Sequence, residues 1–276
     1  MTNRTLLIDG DWLCYKAATV VETEIEWDVD QWTLTSDVDE AFRVAEKWME
    51  EWAEVVGSDA HDKPWVLFSD SSGKYFRNEV FPEYKGKRKG KRKPVCYKAL
   101  RRRLEKEYDA FAKPRLEADD LMGIYATNYE VDNPVIVTID KDLDTVPGLH
   151  YNPDKDKLYE VSPEEAKWNH MFQTLVGDAT DGFKGCPGVG AVKAKKILEA
   201  ALESLEAHRD CSWDKPPYEN WTEEDIDEYL WASVEDAFEA AGLSKSEANV
   251  QAQLAHILQD GDYDFETGEV RLKEWM

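Results

Sequence analysis

Nine acids recur along the chain in short, patterned groups. Asp9 closes the run TLLID (5–9), Asp70 closes WVLFSD (65–70) and Asp140 closes VIVTID (135–140). LEADDLMGIYA (116–126) adds Glu117 and Asp120, spaced i,i+3 to share one helix face, with Asp119 beside them. TIDKDLDTVPG adds Asp142, and VGDATDG adds Asp178 and Asp181, again at i,i+3. Each group has an ordinary structural reading. A strand-end Asp caps a helix or forms a turn, and acids in a first helical turn complement the macrodipole. Together, however, they form a carboxylate-only donor set, since no His or Cys stands at metal-ligand spacing. Such a set suits hard divalent cations, Mg²⁺ or Mn²⁺. Two such ions, roughly 4 Å apart, suit in-line displacement at a phosphodiester. A calcium loop at Asp140–Asp142–Asp144 is excluded, because Thr145 and Tyr151 replace its required Gly and Glu.

The second signal is basic. Residues 85–93 read KGKRKGKRK within a chain of formal net charge −24. The window 85–106 holds twelve Lys and Arg against Glu105, a local charge of +11 that leaves −35 on the other 254 residues. Lys87, Lys89, Lys91, Arg92 and Lys93 are therefore candidates for binding a nucleic-acid backbone, whose phosphates such a strip would neutralise.

The third is the glycine-rich turn GCPGVGAVKAKKIL (185–198). It fits neither a dinucleotide fingerprint nor a Walker A loop, since Lys193 occupies the last glycine place and no Gly-Lys-Ser/Thr is present. It joins two expected helices, one ending in FQTLVGD and one beginning AVKAKK. Gly185, Gly188 and Gly190 with the following helix N-terminus offer backbone N–H groups to a phosphate, and Lys193, Lys195 and Lys196 stand just behind. An αα-turn with surface lysines is the alternative reading.

These groups need elements to carry them. The three Asp-terminated runs are short and rich in Val, Ile and Leu, which predicts buried strands. Residues 37–57 place Val38, Phe42, Ala45, Met49, Trp52 and Val56 at helical spacing, an amphipathic helix against a sheet. Residues 151–161 read as a hairpin. From Ser162 the pattern turns helical, notably at 230–242 and 250–259. The expected class is α/β, with a central, mostly parallel twisted sheet flanked by helices and a helical second lobe. Ligands of such sheets bind outside the carboxyl ends of the strands, where Asp9, Asp70 and Asp140 fall. At 276 residues with 42% apolar and 12% aromatic content, the chain supports a real core. No apolar run approaches the ~20 residues of a membrane span. The N-terminus lacks a secretory h-region, and the four cysteines include no CxxC pair, so a cytoplasmic protein with reduced thiols is expected.

In this order the motifs LLIDGDWL, FSDSSGKYFRNEVFPEYKGKRK, LEADDLMG, VTIDKDLDTV and LVGDATDGFKGCPGVGAVKAKKIL, within residues 6–198, resemble the 5′-nuclease family. That family includes flap endonucleases, the 5′-nuclease domains of bacterial DNA polymerases and phage 5′→3′ exonucleases. The chain is especially similar to the exonucleases of short-tailed phages, through DGDWL, PEYKGKRK, DKD and FQT..GD.TDG. The resemblance implies that Asp9, Asp70, Glu117, Asp119, Asp120, Asp140, Asp142, Asp178 and Asp181 are metal-site acids. It implies that Lys85 and Arg88 contact the scissile phosphate at the base of a helical arch or clamp spanning about 82–112. It implies a helix–three-turn–helix at about 172–200 that grips duplex DNA and, in relatives, a monovalent cation such as K⁺. The expected organisation is a nuclease core over 1–161 and a helical DNA-binding lobe over 162–276. The expected function is a two-metal 5′→3′ exodeoxyribonuclease that acts on duplex ends and releases 5′-phosphorylated products. It would serve phage replication and recombination, with RNA primer removal in reach, as a monomer in the host cytoplasm. A flap endonuclease, action on RNA–DNA hybrids, and a non-catalytic DNA-binding accessory protein are the rivals. No motif names a polymerase or single-strand-binding partner. Two places depart from the pattern: Gly182 in TDGFKG, where many cellular members have Ser-Asp-Asn, and Asp11, an acid without an assigned role.

One result follows from the basic strip alone. Replacing Lys87, Lys89 and Lys91 should weaken DNA binding and flatten its log–log salt dependence by about one unit per lost phosphate contact. An unchanged slope in a salt titration would mean a merely solvated surface.

Overall fold

The computed structural model describes residues 4–58, 63–86, 92–211 and 223–275. Lys87, Arg88, Lys89 and Lys91 lie outside them. By its internal contacts the chain divides into two units. The first comprises Met1–Tyr75, Gly90–Val161 and Leu258–Val270, and the second comprises Phe76–Lys89, Ser162–Ile257 and Arg271–Met276.

In the first unit, β1 (Thr5–Asp9) buries Leu6, Leu7 and Ile8 completely or nearly so. A strand buried on both faces needs helices on both sides, and that is the arrangement here. β1 pairs in parallel with β4 (Trp65–Leu67) on one side and β6 (Pro134–Val137) on the other. Beyond β4 lies the short parallel β5 (Asp109–Phe111). Beyond β6 come parallel β7 (Gly148–Asn152) and antiparallel β8 (Lys157–Val161). The six-stranded order is therefore β5-β4-β1-β6-β7-β8, mixed but mostly parallel. The expected hairpin is β7–β8 and starts three residues early. The strands at 65 and 135 correct the sequence reading: they stop at Leu67 and Val137, so only Asp9 ends its strand, while Asp70 and Asp140 sit three residues further on.

Leu6, Ile8, Val66, Phe68, Val135 and Val137 alternate toward one face, where they join α1 (Gly10–Val20), α2 (Val38–Val56) and α4 (Tyr97–Glu107) in a single core. The helix expected over 37–57 is α2. Asp37 caps it by accepting the amides of Asp39 and Glu40, and Gly57 ends it in the left-handed region. On the sheet's other face lies α5 (Ala118–Thr127), packed against β1, β4 and β6. A two-stranded hairpin of β2 (Thr23–Asp28) and β3 (Gln31–Thr35) stands apart from the large sheet.

The second unit is helical: the short α3 (Arg77–Val80), then α6 (Pro163–Val176), α7 (Ala191–Cys211), α8 (Glu223–Ala240) and α9 (Lys245–Ala255). Met171, Leu175, Leu198, Leu230, Val234, Phe238 and Trp275 form its core. The helix expected over 250–259 ends at Ala255. There Arg77 donates to the carbonyls of Leu254 and His256, which turns the chain away. No helix among the described residues is long and apolar enough to cross a membrane.

His170 on α6 is buried, donates from Nε2 to the Ala252 carbonyl at 2.9 Å and lies against His256 and Trp275. Burial, reinforced by His256, pushes its pKa down from 6.5 to about 3. The unfolded chain thus takes up the proton first, so stability is full above pH 6.5 and is lost as pH falls toward 3. Unfolding free energies from urea titrations should fall across this window at up to about 1.4 kcal/mol per pH unit. A His170→Gln variant should show a shallower fall, and an equal slope in both would exclude His170 as the source.

Candidate metal centre

The chain order of the strands explains why carboxylates gather at one edge. β1 leads outward through β4 and β5 on one side, while β6 and β7 lie on the other, so the strand order reverses at β1. Open parallel sheets bind ligands at such a switch point. Asp9 stands there as the last residue of β1 and the N-cap of α1, accepting the Trp12 amide at 3.0 Å. Only 8% of it is exposed. Burial first, then the negative charges of Asp11 and Asp140, push its carboxyl up to about 7 against the pull of its amide bonds. Asp140 caps the 3-10 turn Lys141–Thr145 and accepts the Asp142 amide at 3.0 Å, which places Asp142 in the same turn.

On the other side of β1, Asp70 follows β4. Burial would raise its carboxyl, but the Ser72 amide and hydroxyl, the Arg115 amide and the charge of Arg101 outweigh this and hold it low. The Asp70 amide donates to the Leu116 carbonyl, and the Ala118 amide donates to Ser69 Oγ, so the start of α5 is fastened beside Asp70. Glu117 is the N-cap of α5 and Asp120 its third residue, in a reciprocal capping box. Their i,i+3 spacing thus serves a cap in which each side chain accepts the other's backbone amide. Asp120 is fully buried, with one oxygen on the Glu117 amide and the other on the Leu258 amide. Asp119 is half-buried at the head of the helix.

Among the described residues, no three His, Cys, Asp or Glu side chains stand close enough to hold an ion as they are. The donor chemistry still fits a hard cation. Asp9 is a buried carboxyl pressed by two negative neighbours, and positive charge among them would relieve that repulsion.

Asp178 and Asp181 belong to the second unit, where the expected shared helix face gives way to a turn. Gly177 ends α6 with φ 71° and ψ −179°, and a bridge between Asp178 and Phe183 closes the turn. Asp178 accepts the amides of Thr180 and Asp181. Asp181 accepts the Tyr84 hydroxyl at 3.0 Å and lies 3.4 Å from Lys85 Nζ, and its carbonyl accepts the Lys85 amide at 2.7 Å. Lys85 is thus fixed to Asp181 by backbone and side chain, at the left-handed φ of 54°. Gly182, with φ 91°, faces the Glu83 carbonyl and the Lys85 amide, and its left-handed backbone rather than lack of space favours glycine there.

Of the glycine-rich motif at 185–198, the residues from Ala191 on are the first turns of α7. The Gly185 amide is already taken by Gln251 Oε1 at 2.8 Å, while Gly188 and Gly190 flank the buried Val189. Lys193, Lys195 and Lys196 are exposed on α7, with Lys195 3.5 Å from Glu199. In the strip, Arg92 forms a bidentate pair with Glu22, and Lys93 lies 4.0 Å above the Tyr97 ring.

Sequence reasoning left Asp11 without a role, and the structure supplies one. Its Oδ2 accepts the Ser69 amide at 3.0 Å, its Oδ1 accepts the Tyr97 hydroxyl at 2.7 Å, and Arg101 approaches it at 3.6 Å. Burial and the Asp11 charge push the Tyr97 hydroxyl far up, so it remains a donor. The extra acid in DGDW was the only visible signal. Tyr97 and Arg101 carried none.

The sequence and fold match known proteins along nearly the whole chain. The family model "5′-3′ exonuclease, N-terminal resolvase-like domain" matches residues 4–150. The exodeoxyribonuclease of Enterobacteria phage T3 is 30% identical over 97% of this chain and 91% of its own length. The exonuclease of Escherichia phage T7 is 28% identical over 97% and 92%. Among solved structures, the phage T5 D15 protein co-crystallised with metal ions aligns with a TM-score of 0.51 at 16% identity, covering 92% of this chain and 98% of that one. A complex of the T5 D15 flap endonuclease with DNA and metal ions aligns at 0.52 and 15%, covering 92% and 93%. The chain belongs to the 5′-3′ exonuclease family. It is a homologue of phosphodiesterases, and of the T3 and T7 enzymes over most of its length.

Proposed function

We propose that the chain is a divalent-metal-dependent 5′→3′ exodeoxyribonuclease acting at the ends of duplex DNA and releasing 5′-phosphorylated nucleotides or short fragments. The carrying observation is likeness to the T3 exodeoxyribonuclease along 97% of the chain, and Asp9 at the end of β1 supports it. Asp9, Asp70, Glu117, Asp119, Asp140 and Asp142 would hold two Mg²⁺ or Mn²⁺ ions. Asp120 holds Glu117 in place through its capping box. The chemistry such a pair supplies is stabilisation of charge at the attacking and leaving oxygens of a displacement at phosphorus. For Asp178 and Asp181 the same metal-holding role is proposed, to be tested by substitution.

The chain's own groups do the holding. The Lys85 ammonium, now paired with Asp181, would exchange that carboxylate for an oxygen of the scissile phosphate, assisted by Arg88. Gly188, Gly190 and the N-terminus of α7 would grip a phosphate of the duplex, with Lys193, Lys195 and Lys196 adding charge, as a helix–three-turn–helix does, and with K⁺ as an added ligand. The strip Lys87–Lys93 would track the strand that carries the 5′ end.

The test is a linear duplex labelled at either the 5′ or the 3′ end, incubated with Mg²⁺ or with EDTA. Early Mg²⁺-dependent release of the 5′ label supports the reading. Cutting of a flap but not of the linear duplex would replace it with a flap endonuclease. Binding without cutting in Mg²⁺ or Mn²⁺ would leave only the accessory-protein reading.

A further inference from the structure

Ser69 stands immediately before Asp70, and all three of its polar handles are taken by different helices. Its amide donates to Asp11 Oδ2 on α1 at 3.0 Å. Its carbonyl accepts Arg101 Nη2 from α4 at 3.0 Å. Its hydroxyl accepts the Ala118 amide at the start of α5, also at 3.0 Å. Asp11 and Arg101 in turn face each other at 3.6 Å, with side chains 28% and 14% exposed. Arg101 also lies over the ring of Phe68, 4.5 Å from its centroid, and Phe68 bonds the β5 residue Phe111 through its amide. One backbone residue thus joins α1, α4 and α5 at the carboxyl end of β4. It does so between the helix that carries Asp9 at its cap and the helix that carries Glu117 and Asp119.

Resting on the nuclease reading above, we propose that Asp11 is a positioning residue. With Arg101 it clamps Ser69 from both sides and thereby sets Asp70 and the head of α5 relative to Asp9. Asp11 touches neither substrate nor ion in this role. An acid is needed because one group must accept both a backbone amide and the Tyr97 hydroxyl while balancing a guanidinium. A carboxylate does all three, whereas an asparagine must turn its NH₂ toward one of the donors. Arg101 is needed for its fork, which reaches the Ser69 carbonyl and Asp11 together, a geometry a lysine cannot reproduce. The clamp also ties down α4, which follows Arg92 and Lys93 in the chain.

The experiment compares the wild type with Asp11→Asn, Tyr97→Phe, Arg101→Gln and the double variant Asp11→Asn/Arg101→Gln. Cleavage of the 5′-labelled duplex is resolved into kcat and KM. Mn²⁺ binding to the DNA-free protein is measured by calorimetry, and folding is checked by circular dichroism. Asp11→Asn should lower kcat about ten- to a hundredfold, the loss of a charge-assisted bond, with KM within about twofold. It should weaken Mn²⁺ binding by about tenfold. Tyr97→Phe, which leaves the Ser69 bonds intact, should stay within about threefold of wild type. The double variant should be no worse than the poorer single one, since both act on Ser69. Wild-type kcat and Mn²⁺ affinity in a folded Asp11→Asn protein would overturn the proposal, as would a change confined to KM. Should Asp11→Asn not fold, Arg101→Gln with its loss of the Ser69 carbonyl contact decides in the same way. A wild type that cuts nothing defeats the nuclease reading instead, and the Mn²⁺ titrations still judge the clamp.

Discussion

Replacing Asp9 by asparagine should abolish DNA cleavage, by about a thousandfold or more, while leaving the metal-free protein at least as stable as the wild type. The two halves of this expectation have separate causes. Loss of activity follows if Asp9 is central among the ion-holding acids. Retained stability follows from its surroundings: the carboxyl is buried and repelled by Asp11 and Asp140, so its charge is a burden without a cation. Asparagine keeps the cap, since its carbonyl still accepts the Trp12 amide. Thermal melts at a pH well above 7, in EDTA and then in Mn²⁺, separate the effects. In EDTA the variant should melt at or above the wild-type temperature. In Mn²⁺ the wild type should rise by mass action and the variant should not. A variant that melts far lower in EDTA would show that its charge is already balanced within the fold, and the metal assignment would fail.

Gly185→Ala should cost the second unit about 3 kcal/mol or more, whereas Gly188→Ala should cost about 1–2 kcal/mol. Both glycines have left-handed φ values, 61° and 73°. They differ in what a Cβ would meet. At Gly185 it would fall 2.5 Å from the Gly177 amide nitrogen and the Leu175 carbonyl, all backbone with no rotamer to yield. At Gly188 nothing lies within 4 Å. Gly177 closes the approach from the other side, in a backbone region open essentially to glycine. Urea midpoints of the two variants should therefore differ clearly, and equal shifts would mean that the two backbone segments do not touch.

What could be read from residues alone divides along physical lines. β1 and α2 were legible because burial imposed their patterns, with a cap at each end of α2, and the β7–β8 hairpin was legible from its polar Asn-Pro-Asp turn. The β2–β3 hairpin was not. Its alternation pairs Ile25 and Trp27 with Glu24, Glu26 and Asp28 on a surface that stays exposed, so no buried face announces it. β5 is three residues long and carries too little pattern. Asp70 and Asp140 were recognisable as acids near strand ends, yet the turns that carry them past Leu67 and Val137 depend on the bonds of Asp70 to Leu116 and Arg115 and of Thr138 to Tyr151, and the Thr138 hydroxyl then takes the Asp140 amide locally. The i,i+3 spacing of Asp178 and Asp181 misled in the same way, because spacing alone does not tell a turn from a helix face. Asp11 was visible only as an unexplained acid, since its partners Ser69, Tyr97 and Arg101 come together through the fold.

The return of residues 258–270 to the first unit has a consequence for how this chain can be divided. The Leu258 amide meets Asp120, Tyr263 and Phe265 continue the aromatic row of Tyr125, and the Gly268 carbonyl takes Arg115. A fragment ending at Val161 would carry the carboxylate edge but lack the stretch that closes one side of α5. Asp120 would lose its second amide and Tyr125 its stacked partner. The stretch 4–150 that marks the family thus lacks part of the packing around α5. A protease nick or stop codon late in the chain should be felt at the head of α5, more than a hundred residues upstream in sequence.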